Sequence, residues 1–63
     1  DFSHVSISGA NLQSAILDRA NFFNANLSGV DFSNAYMADA NLSNSNLYDV
    51  NFGAFPVFKA HTG

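Results

Sequence analysis

A large apolar side chain returns at every fifth residue from one end of this chain to the other: Phe2, Ile7, Leu12, Leu17, Phe22, Leu27, Phe32, Met37, Leu42, Leu47, Phe52 and Val57. Two residues ahead of each, from the second repeat on, stand Val5, Ala10, Ala15, Ala20, Ala25, Val30, Ala35, Ala40, Ser45, Val50 and Phe55, nearly all of them small. The residue just before each apolar centre is mostly Asn or Asp, with breaks at Ser6, Ile16, Tyr36 and Pro56. A period of five suits neither regular element. On an α-helix, successive centres would lie about 140° apart and wind around the axis. In a flat strand, an odd step would send alternate centres to opposite faces. What fits is a chain that turns a corner every five residues, with the large and small residues inward and the others outward. Such coils must stack, because one coil alone cannot cover its own apolar face.

Composition narrows what such a chain does. At 63 residues it makes at most one small domain. Cysteine is absent, which removes disulfides, thiolate metal sites and cysteine nucleophiles and leaves the compartment open. Asp1, Asp18, Asp31, Asp39 and Asp49 face only Arg19 and Lys59, a formal net charge of −3. A mildly acidic chain has no means of releasing phosphate counterions, so direct nucleic-acid binding is not expected. Apolar runs are far too short for a membrane span, and there is no secretory-type leader pattern. A start at Asp1 rather than Met suggests a processed or partial chain.

The motif Ala-Asn/Asp-Leu/Phe-x-x, present as Ala10-Asn11-Leu12, Ala20-Asn21-Phe22, Ala25-Asn26-Leu27 and Ala40-Asn41-Leu42, resembles the pentapeptide repeat family across essentially the whole chain. The resemblance implies an all-β fold, a right-handed quadrilateral β-helix with four pentapeptides per coil and about three coils here. Residues twenty apart would then stack. The inner columns become Phe2, Phe22, Leu42; Ile7, Leu27, Leu47; Leu12, Phe32, Phe52; and Leu17, Met37, Val57, all apolar. The breaks Ile16, Tyr36 and Pro56 fall on one face. Residues 1–54 are expected to form the β-helix and 55–63 an irregular last coil, cap or linker, because Phe55 and Pro56 break the pattern and Pro lacks a ladder donor. Neither end carries a convincing polar cap, so the coils are expected to continue a longer solenoid or to be held end-on by a partner.

Candidate chemistry is sparse. His4 and His61 sit near the two ends with no metal-ligand spacing, Glu is absent, and the Asp residues occupy different places in their repeats. No catalytic, cofactor or metal site is therefore expected, nor a small-molecule substrate. The Asn column has two readings: amide ladders along the stack, or side chains that satisfy backbone groups at the corners. Phe23 and Tyr48 are expected outward on other faces. The aligned apolar face, Ile16, Tyr36 and Pro56 with Phe58 beside them, is the candidate partner-binding surface. The reading is a non-catalytic structural or protein-interaction module, with that face or the coil ends as contacts. By resemblance, the family is common in cyanobacteria and occurs in plastids, which fits a larger, photosynthetic assembly; cytoplasm and thylakoid lumen suit the chain equally. The competing reading is a DNA-mimicking gyrase inhibitor. Five scattered carboxylates and the Arg19 and Lys59 cations in the column of Asp39 make a weak field for it.

Overall fold

The computed structural model describes residues 1–53. Within each repeat we number the Asn/Asp position 1, the apolar centre 2 and the small residue 5, so that Asn11 is position 1 and Ala15 position 5. In every repeat the N–H of position 5 donates to the carbonyl of position 2, from Val5 to Phe2 at 3.3 Å through Val50 to Leu47 at 3.2 Å. Position 4 has positive φ at His4, Gly9, Ser14, Arg19, Asn24, Gly29, Asn34, Asp39, Asn44 and Asp49. Negative φ at position 3 followed by positive φ at position 4 is the signature of a type II turn. Gly, Asn and Asp tolerate it readily; His4, Ser14 and Arg19 hold it at a cost of about 1–2 kcal/mol each.

Four such turns bring the chain back over itself after twenty residues. Ser6 pairs in parallel with Asn26 and Asn26 with Asn46; Asn11 pairs with Asp31 and Asp31 with Asn51; Ile16 pairs with Tyr36 and Asn21 with Asn41. Three backbone bonds per repeat join one coil to the next. Leu27 N–H donates to Asn46 O at 2.9 Å, Gly29 N–H to Tyr48 O at 2.8 Å, and Asn46 N–H to Ala25 O at 2.9 Å, and the other sides repeat the scheme. The pairing consists of isolated bridges, and no extended strand forms among the described residues. Corners five residues apart leave room for only one paired residue between them.

The centre of the stack is apolar. Phe22, Leu27, Phe32, Met37 and Leu42 are buried together with Ala25, Val30, Ala35 and Ala40. Ile7, Leu12, Leu17, Leu47 and Phe52 pack half-buried against this cluster. Each buried centre contributes about 1.5–3 kcal/mol. Rings within a column stack face to face, Phe32 on Phe52 at 5.6 Å and 10°, whereas Phe22 meets Phe32 of another column edge-on at 5.9 Å and 73°. Phe2 departs from its expected core role. Its ring lies on Phe22 at 5.1 Å, but it stays 41% exposed. Val57 lies outside the described residues, as does the segment 55–63 expected to be irregular. At Gly53 the positive φ, +80°, comes one residue ahead of its place in the repeat. A Cβ there would sit 3.5 Å from Ser33 Cβ.

Candidate interaction face

The surface is best understood by following the five backbone N–H groups of one repeat. Those of positions 1, 2 and 4 are committed between coils and that of position 5 closes the turn. Position 3 is left over, at the outermost point of the corner. The side chain at position 1 takes it. Asp1 Oδ1 accepts from Ser3, Asn11 from Gln13, Asn21 from Phe23, Asn26 from Ser28, Asp31 from Ser33, Asn41 from Ser43, Asn46 from Tyr48 and Asn51 from Gly53, at 2.8–3.2 Å. The requirement is for a short side chain with an acceptor oxygen two residues upstream, which is the reason for Asn or Asp at that place. The corner reading of this column is the one the geometry bears out; among the described residues the asparagines of the column make one side-chain contact between coils, Asn26 Nδ2 to Ser6 Oγ, at a long 3.4 Å.

Ile16 and Tyr36 stand at position 1 without any such oxygen. They form one parallel pair on one side of the stack, 77% and 53% exposed. The vacated capping role is partly taken from elsewhere: Asp18 Oδ1, one coil up, accepts from the Ala38 N–H at 3.0 Å. The inner layer behind this face is ordinary, with Leu17 half-buried and Ala35 and Met37 buried. Thus the exchange of Asn for Ile16 and Tyr36 changes the surface and leaves the interior pattern intact. Pro56 and Phe58, expected to extend the face, lie outside the described residues. Phe23 and Tyr48 are exposed elsewhere, at 40% and 78%, without an aligned apolar neighbour at twenty residues' distance, where Ser3, Ser43 and Ser28 stand.

The acidic groups do not gather. Asp31 belongs to the corner of Asn11 and Asn51, where it accepts from Ser33 and, at 2.6 Å, from Gln13 Nε2. These bonds, the Ser33 backbone N–H foremost, then the Ser33 and Gln13 side chains, hold its carboxyl below the ordinary range. Asp1 and Asp18 also accept from backbone N–H groups, on other sides. Among the described residues no group of three His, Cys, Asp or Glu is placed to hold a metal ion. No helix among them is long and apolar enough to cross a membrane.

Two features were not foreseen from the sequence, the Asp18 bond to Ala38 and a polar column in which His4 meets Asn24 and Asn24 meets Asn44. Both depend on the step of twenty residues, the signal that could have found them. A family model for pentapeptide repeats matches residues 15–53 in eight copies. No curated protein and no solved structure gives a significant match.

Proposed function

The chain belongs to the pentapeptide repeat family, and on that premise we propose that it is a non-catalytic protein-interaction module whose contact surface is the face carrying Ile16 and Tyr36. The proposed fold is the family's right-handed quadrilateral β-helix; four turns per twenty residues and parallel bridges at that interval support it. One observation carries the functional reading. Ile16 and Tyr36 occupy, in register and exposed, the position that elsewhere caps a corner, so the side chains of this face give up capping their own corners, the Ala38 N–H turning to Asp18 instead, and present apolar surface. Aligned aliphatic and aromatic groups suit the centre of a protein contact, where charged residues are depleted. The corner oxygens, by contrast, are largely turned to the protein's own backbone, which supports a scaffold role for them.

The test is the double variant Ile16→Asn with Tyr36→Asn, compared with a control carrying Phe23→Ser and Tyr48→Ser on other sides. Proteins captured by the wild type are expected to be lost with the first variant and retained with the second, while both variants remain folded by circular dichroism. Retention with the first and loss with the second would refute the reading. A gyrase supercoiling assay addresses the competing one, for which the dispersed carboxylates give no support.

A further inference from the structure

The corner between the first two sides of each coil carries a stacked file of polar side chains. His4, Asn24 and Asn44 all occupy position 4, all have positive φ, and all lie exposed one above another. Asn44 Nδ2 donates to Asn24 Oδ1 at 2.6 Å, and Asn24 Nδ2 lies 3.1 Å from His4 Nδ1. The His4 ring also stands edge-on to Phe23, centroids 6.0 Å apart at 86°.

The direction of donation along this file is set by its chemistry. Asn24 has one amide oxygen, which already accepts from Asn44, so its amide nitrogen is what faces the imidazole. A nitrogen that donates needs an acceptor, so neutral His4 must carry its proton on Nε2 and offer a lone pair at Nδ1. Both amides thus donate upward, toward the ring. When the imidazole gains its second proton, Nδ1 becomes a donor and two donors confront each other. The conflict is removed if the Asn24 amide turns over to present Oδ1 to His4. Its nitrogen then faces Asn44, which must turn over in its turn to present an oxygen.

We propose that His4 is the head of a proton-operated relay, in which protonation of its ring reverses the hydrogen-bond direction of the Asn24–Asn44 file across three coils. The file exchanges one proton with solvent at His4 and moves none along its length; only amide orientation is transmitted. Asp1, three residues before His4, is the titratable residue nearest in the chain, and its carboxylate caps Ser3. Position 3 on this corner holds Ser3, Phe23 and Ser43, none of which is charged.

The experiment follows the His4 ring and the side-chain amides of Asn24 and Asn44 by NMR as the ring is protonated by lowering the pH, in the wild type and in His4→Asn. Asparagine is well suited to positive φ, so the variant keeps the turn and extends the amide file without a titrating group. In the wild type both amides are expected to shift with the midpoint of the ring, and in the variant neither moves. Two results would overturn the relay: an Asn44 amide that stays still while the His4 ring is protonated, or amide shifts over the same pH steps that persist in the variant.

Discussion

The side of the stack that carries Asn11, Asp31 and Asn51 and the side that carries Ile16 and Tyr36 share one backbone geometry and one kind of interior, yet they hold their corners differently. On the first, each coil caps its own corner through the side chain at position 1. On the second, the coil of Tyr36 takes its cap from Asp18 in the coil above, and Ile16 offers no oxygen at all. The difference teaches that inner and outer constraints are separable in this architecture. Position 2 must be apolar for the stack to form, whereas position 1 is set by a single surface N–H that can be served in another way. A face can therefore be altered without disturbing the core behind it.

The comparison is tested most strongly from the inside. If the two sides are equivalent there, Phe32→Ala behind Asp31 and Met37→Ala behind Tyr36 should both be severe, at about 3–5 and 2–5 kcal/mol, read as shifts of the urea midpoint. A mild effect at Met37 would show that the apolar face lacks a supporting core. Next in size is the cap itself. By analogy with helix caps, Asn21→Ala, which strips the Phe23 N–H of its acceptor, should cost about 1 kcal/mol. The reverse exchange, Tyr36→Asn, should leave stability unchanged or raise it by up to about 1 kcal/mol. A loss of stability from Tyr36→Asn would mean that the tyrosine is held for the fold.

Smaller still is backbone strain at the corner that adjoins the apolar face. Arg19 holds φ of +63° and Asn34 of +61°. Arg19→Gly should stabilise by about 0.5–1 kcal/mol and Asn34→Gly by less, since asparagine already tolerates that conformation; thermal unfolding of the two variants checks the order. The smallest effect belongs to acid. The Asp31 carboxyl is held below its ordinary value of 3.8, so its contribution is fully present above that pH and fades as pH falls through the lower folded value. Asp31→Asn keeps the acceptor oxygen, and its unfolding midpoint should change less than that of the wild type as pH is lowered below about 4.

The inner columns were legible because a strict period of five states directly which side chains turn inward. What the period does not state is how well each is covered, and for that reason it puts Phe2 in the core although its ring, stacked on Phe22, stays 41% exposed. The odd face at Ile16 and Tyr36 was readable as a break in a column. The purpose of that column was not. Choosing between amide ladder and corner cap required knowing which N–H the turns and bridges leave unused, a question of hydrogen-bond geometry that residue types leave open. The file of His4, Asn24 and Asn44 was hidden for a related reason. Those residues sit where the turn needs positive φ, and that demand alone accounts for asparagine, so nothing in the composition marked them as partners.

The bond from Asp18 to Ala38 gives this chain a form of epistasis with a defined reach. An asparagine at residue 36 would make the carboxylate at residue 18 dispensable, and with Tyr36 in place that carboxylate becomes the acceptor on which the corner relies. Asp18 is thus a permissive residue for Tyr36, and the order of substitution matters. Acquiring the aspartate first and the tyrosine second keeps the Ala38 N–H paired throughout, whereas the opposite order passes through an intermediate that leaves it to water. Coupled changes in stacked coils of this kind should accordingly appear at separations near one full coil, between residues that look unrelated along the chain.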